Sequence, residues 1–179
     1  MSSQPDFLAL DAGAITASLV VDNLGSAIGA YGNSRGIGNE TDHKLLLWFR
    51  GKAEVVLTSG ATAIVEDYKM PSSCDLALLT RRNEQSFSID PNDRKLIFLH
   101  GHYFEGVEQL QELGYRRIHT EFGPSGFVEL SQHSEVNCFL SSRTNNGLEL
   151  FASKHKLGIR RRLELPDLFV AEVAGRGRA

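Results

Sequence analysis

The chain has 179 residues, 41% of them hydrophobic, with a formal net charge of -3 and a pI near 6.1, which suffices for one domain with a true core. The mild acidity argues against a general nucleic-acid or membrane-surface binder, since those carry a basic face, and no stretch approaches the roughly 18 apolar residues of a membrane span. Met1 to Asp11 lacks the basic start of a signal peptide, so a single cytoplasmic domain over residues 1–179 is expected.

Ile15 to Asp22 is β-branched and apolar and reads as a buried first strand. A Gly- and Asn-rich stretch follows, Asn23 to Glu40, long enough to read as a functional loop. Asn39 and Thr41 are good caps for a helix from about Asp42 to Gly51, whose Leu45, Leu46 and Phe49 form one buried face. Glu54 to Thr58 is a second strand, followed by a short helix or turn, Ala61 to Asp67. Asp75 to Thr80 and Lys95 to His100 are the third and fourth strands. Phe104 to Leu113 is a helix with Val107, Leu110 and Leu113 inward and Gly114 closing it. Arg117 to Glu121 is a fifth strand, Ser125 to Gln132 a short helix with Phe127, Val128 and Leu130 inward, and Asn137 to Ser142 a sixth strand. An irregular patch then leads to a hairpin, Arg160 to Leu165 and Leu168 to Val173, with Gly175 to Ala179 frayed. Strands alternating with helices predict an α/β domain with a mixed, mostly parallel sheet.

Two cysteines, Cys74 and Cys138, lie in no CxxC pair and read as free thiols. His100 and His102 flank Gly101, but no third ligand stands near, so no metal is expected. Arg160, Arg161 and Arg162 read as strand residues facing solvent.

In open α/β sheets ligands bind beyond the carboxyl ends of parallel strands. Two such ends place small residues before a helix: Ser59, Gly60, Ala61 and Thr62 after the second strand, and Glu121, Phe122, Gly123, Pro124 and Ser125 after the fifth. Small residues let a phosphate approach backbone N–H groups, and Pro124 suits a first helical position. A dinucleotide is one reading, and two ordinary βα turns the other. The third strand ends in Thr80, Arg81 and Arg82, which could hold the 2′-phosphate that distinguishes NADPH; a solvated basic turn is the alternative.

Taken in order, these segments resemble the reductase domain of riboflavin biosynthesis. Glu54 to Tyr68 (EVVLTSGATAIVEDY) is similar to its acidic residue, apolar strand and Gly-Ala-Gly-Thr turn, with Thr62 and Glu66 in the last places. LGYRRIHTEFGP resembles its Glu-Gly-Gly-Pro segment, with Gly114, Glu121, Gly123 and Pro124 in register. Leu19 to Asp22 matches the end of the first strand, and Asn33-Ser34 with Asp42 to Arg50 matches the following loop and helix. The resemblance covers about residues 15 to 173. It implies a dihydrofolate-reductase-like three-layer α/β sandwich and an NADPH-dependent reductase of a small pyrimidine- or pterin-like or ribosylamino substrate, of the 5-amino-6-(5-phosphoribosylamino)uracil reductase kind. It places Asp22 and Ser34 toward substrate and nicotinamide. Ser59 to Thr62, Glu66, Thr80, Arg81 and Glu121 to Ser125 would serve the cofactor. It also implies a homodimer, paired near the sixth strand through Val136, Phe139 and Leu140 and near the hairpin.

The departures are Ser59 and Ala61 in the first turn, and Phe122 where the family has glycine. They motivate an alternative, a catalytically degenerate, dimeric nucleotide-binding relative. Whether the Phe122 ring points into the cleft or away from it separates the two.

Overall fold

The computed structural model describes residues 7–30 and 32–175. Eight strands form one sheet: β1 (Ile15–Val21), β2 (Val55–Ser59), β3 (Asp75–Leu79), β4 (Leu96–Leu99), β5 (Ile118–Thr120), β6 (Val136–Ser142), β7 (Leu157–Leu165) and β8 (Leu168–Gly175). Their order is β4-β3-β2-β5-β1-β6-β8-β7. Every pairing from β4 across to β6 is parallel, while β8 runs antiparallel to both β6 and β7. The sheet is therefore mixed and mostly parallel, as its alternation of strands and helices predicts.

The helices are α1 (Glu40–Lys52), α2 (Gly60–Val65), α3 (Tyr103–Glu112), α4 (Pro124–Leu130) and α5 (Asn145–Lys154). Successive strand residues point to opposite faces, and both faces are covered, so the central strands read as continuous apolar runs. On one face α3, α4 and α5 bury Val107, Leu110, Phe127 and Phe151 against Ala17, Leu57 and Leu140. On the other, α1 sets Leu45 and Phe49 against Phe139 and Val170, and Ala63 of α2 packs on Val56, Leu76 and Leu78. The result is the expected three-layer sandwich.

Four expectations need correction. The stretch after β6 is not irregular: it is α5, capped by the Thr144 hydroxyl, which accepts from the Gly147 N–H at 3.2 Å. Leu148, Phe151 and Ala152 form its buried face, but Asn145, Asn146 and Gly147 are weak helix formers that hide the start. Gly147 is required by close approach, since a Cβ there would lie 2.1 Å from the Asp22 carbonyl oxygen. Leu113 is not inward: it lies past the last turn of α3 and is 60% exposed. Gly175 ends β8 rather than fraying; residues 176–179 lie outside the described residues. Finally, β6 is an interior strand between β1 and β8, so Val136, Phe139 and Leu140 are buried within the chain itself and offer no surface to a partner. The free edge at that end of the sheet is β7.

Candidate functional site

The parallel order β2-β5-β1-β6 brings four carboxyl ends together, where open sheets hold their ligands. A cavity of about 530 Å³ opens there, beneath α1 and the segment after α2, and Ser18, Asp42, Arg50, Tyr68, Glu121 and Gly123 are among its lining residues.

Its floor is charged. Arg50, in the last turn of α1, grips the Glu121 carboxylate with two parallel hydrogen bonds, Nε to Oε1 and Nη2 to Oε2, each 2.7 Å. The Tyr68 hydroxyl accepts from Arg50 Nη2 at 2.7 Å and donates to Glu121 Oε2 in a very short hydrogen bond. Such a bidentate fork is among the strongest hydrogen-bonded pairs. Burial alone would raise the Glu121 carboxyl and lower the Arg50 guanidinium, yet their mutual contact outweighs it: Glu121 is held below the usual carboxylate range and Arg50 above its own. Burial, and then the Glu121 charge, push the Tyr68 hydroxyl well up, so it stays protonated.

His119 stands two residues before Glu121 on β5 and so faces the same side. It is fully buried, stacked on Phe49 with centroids 4.9 Å apart. Its Nδ1 lies 2.7 Å from Thr16 Oγ1, and its Nε2 lies 3.1 Å from Ser18 Oγ and 3.7 Å from Glu121 Oε1. Burial holds the imidazole down at about 4, so it is neutral at physiological pH. Nearby, the Ser141 hydroxyl donates to Asp42 Oδ1 at 2.6 Å, while burial raises the Asp42 carboxyl.

The residues nominated from sequence fare unevenly. In the first turn, Ser59 Oγ caps α2 by accepting from the Thr62 N–H at 3.0 Å. A Cβ at Gly60 would lie 2.6 Å from Thr80 Oγ1 and 2.8 Å from the Phe87 ring, so this glycine answers to its neighbours in the core. Ala61 is exposed at the start of α2. In the second turn, Phe122 is 3% exposed, with its ring edge-on to Tyr103 of α3 at 4.8 Å. The ring lies in the core. Gly126 makes room for it, since a Cβ there would lie 2.6 Å from Phe122 Cβ. A Cβ at Gly123 would meet nothing within 4 Å. Pro124 takes the first helical position, with Ser125 after it.

Thr80 is buried, and its hydroxyl accepts from the Arg82 N–H at 3.0 Å, whereas Arg81 and Arg82 are exposed. Glu66 and Ser34 meet each other: the Ser34 N–H and hydroxyl donate to the two Glu66 oxygens at 2.7 and 3.0 Å, tying the long loop to α2. Asp22 lies elsewhere, at a second cavity of about 610 Å³ shared with Arg35 and Arg143. Its Oδ1 accepts from the Leu24 and Ser26 N–H groups, so it shapes the start of the loop. Among the described residues no group of three potential metal ligands exists, and no helix is long and apolar enough to cross a membrane.

Sequence reasoning quoted Arg50 and Tyr68 only as ends of motifs and passed over Thr16, Ser18 and His119. The period-two spacing of His119 and Glu121, at and just beyond a short strand, carries a signal for a polar pair on one face.

No protein-family model matches the chain, and no curated protein matches it in sequence. Solved structures do resemble it. A pyrimidine reductase-like protein from Corynebacterium diphtheriae superposes with a TM-score of 0.64 at 18% identity, over 90% of this chain and 92% of that one. The riboflavin biosynthesis reductase of Saccharomyces cerevisiae gives 0.60 at 10% identity, over 91% and 90%. Dihydrofolate reductase from Enterococcus faecalis, complexed with NADP(H), gives 0.54 at 14%, over 93% and 98%. The chain therefore has the dihydrofolate-reductase-like fold, in the form that pyrimidine and riboflavin-pathway reductases share with dihydrofolate reductase.

Proposed function

We propose that this chain is an NADPH-dependent reductase of a small pyrimidine- or pterin-like or ribosylamino compound. The observation that carries it is the second turn. Phe122 turns into the core, which leaves Gly123 open on a cavity with charged groups at the carboxyl edge of the sheet. In this reading Gly123, which lines the cavity, and Ser125 would hold a dinucleotide, while the exposed Arg81 and Arg82 would favour its 2′-phosphate. Thr80 is better suited to shaping that corner than to touching the ligand. When bound, the nicotinamide supplies the hydride chemistry. The chain itself holds the substrate between α1 and the sheet, and the Ser34–Glu66 contact keeps the loop beside the cavity. A homodimer belongs to the same proposal.

Calorimetric titration with NADPH and NADH tests the reading, followed by loss of reduced-nicotinamide absorbance with 5-amino-6-(5-phosphoribosylamino)uracil. Tighter binding of NADPH and turnover are expected; no binding of either cofactor overturns it. Light scattering at micromolar protein tests the dimer. One observation favours the degenerate relative instead, the self-capped first turn, in which Ser59 already takes the Thr62 N–H. NADPH binding with no oxidation by any pyrimidine offered would select that alternative.

A further inference from the structure

Four polar side chains on the neighbouring strands β1 and β5 and just past the end of β5 form a chain that ends at the cavity: Thr16, His119, Ser18 and Glu121. Thr16 is 5% exposed, and among the described residues the side chain its hydroxyl meets is His119, with Nδ1 at 2.7 Å. A buried hydroxyl needs an acceptor for its proton. Nδ1 supplies it only if the ring proton sits on Nε2. That placement is also electrostatically favoured, because Nε2 faces the Glu121 carboxylate at 3.7 Å as well as Ser18 Oγ at 3.1 Å. Stacking on Phe49, with the two planes 8° apart, fixes the ring in this plane.

Resting on the reductase reading, we infer that Ser18 is the hydrogen-bond donor that positions an exocyclic carbonyl oxygen of the substrate ring, and that His119 holds it in that sense. Ser18 Oγ accepts from the Nε2–H, which leaves its own proton to point into the cavity that Ser18 lines. The other strong groups of the floor are spent on one another: Arg50 and Tyr68 both satisfy Glu121. A fixed donor selects a ring with a carbonyl at that place over one carrying an amine there, whose N–H groups would meet the donor unpaired. His119 is a positioning residue, since it acts through Ser18.

The test has two arms. Long-range ¹H–¹⁵N correlation of the His119 ring in the wild-type protein at neutral pH should show the Nε2–H tautomer; an Nδ1–H tautomer or an imidazolium overturns the inference. In the second arm, calorimetry measures 5,6-diaminouracil binding in the presence of NADPH. Ser18→Ala should bind about tenfold more weakly, the loss expected for one buried hydrogen bond. His119→Gln, whose amide N–H can reach the Nε2 position, should stay near wild type. His119→Phe should weaken binding as Ser18→Ala does; if it does not fold, the tautomer and Ser18→Ala still decide. Wild-type affinity in Ser18→Ala, or a wild type that binds NADPH and not the pyrimidine, overturns the inference while leaving the reductase reading standing. A wild type that binds neither overturns both.

Discussion

The two βα turns at the carboxyl edge look alike as sequence and behave oppositely as structure. Ser59-Gly60-Ala61-Thr62 is closed: its serine caps its own helix, and its glycine is pressed against Thr80 and Phe87. Glu121-Phe122-Gly123-Pro124 is open: α4 has no side-chain cap, and Gly123 faces free space. The open turn is also the one that carries the bulkiest departure, Phe122. Its phenylalanine is accommodated because Gly126 and Tyr103 form a pocket for the ring. Small residues therefore do not distinguish the two turns. What differs is whether a neighbour stands where a side chain would go.

The largest expected effect comes from the residue that opens the second turn. Glu121→Ala leaves Arg50 buried without its carboxylate, and should cost about 3–5 kcal/mol in denaturant unfolding. Replacing both, as Arg50→Met with Glu121→Leu, should cost less than either single change, because no unpaired charge remains. Next comes Phe122→Gly, which should lose about 3 kcal/mol or more from the core without strengthening NADPH binding. A variant that binds NADPH at least about tenfold more tightly at unchanged stability would mean that the second turn is blocked, not open.

The same strand should impose a pH dependence. The folded His119 titrates near 4, below its ordinary 6.5, so between those values the unfolded chain binds a proton that the folded chain excludes. Stability is then present above about 6.5 and falls as pH drops toward 4, by up to about 3 kcal/mol. Glu121 acts in the same direction at lower pH, since its folded carboxyl also titrates below its ordinary value. Melting curves of wild type and His119→Phe from pH 7 to 4 check this, and the variant should show the flatter profile.

The smallest effects contrast the two glycines directly. Gly60→Ala puts a Cβ within 2.6 Å of Thr80 Oγ1 and 2.8 Å of the Phe87 ring, and should cost about 1–3 kcal/mol by overpacking. Gly123→Ala meets nothing, so its stability should stay within about 0.5 kcal/mol while NADPH affinity falls. Equal stability costs at the two positions would erase the distinction between the turns.

What the sequence determined by itself was the local grammar. The β-branched run of β1, the apolar run of β2, the Asn39 cap of α1 and Pro124 at the start of α4 each follow from nearest-neighbour geometry, and each is found where expected. From the strand–helix alternation came the mostly parallel sheet, and from the order of the motifs the three-layer fold. Only the tertiary structure decided what these residues touch. Glu121 meets Arg50 across 71 positions and Ser34 meets Glu66 across 32, so two carboxylates nominated for a cofactor are engaged with other parts of the chain. Asp22 turns toward a different cavity from the one that holds Arg50 and Ser18. Helix α5 depends on burying Leu148 and Phe151 against the sheet, which offsets a weak start. The physical reason is common to all of these. Strand and helix periods are set over a few residues, whereas partners are set by the order β2-β5-β1-β6, which places side chains remote in sequence within hydrogen-bonding distance.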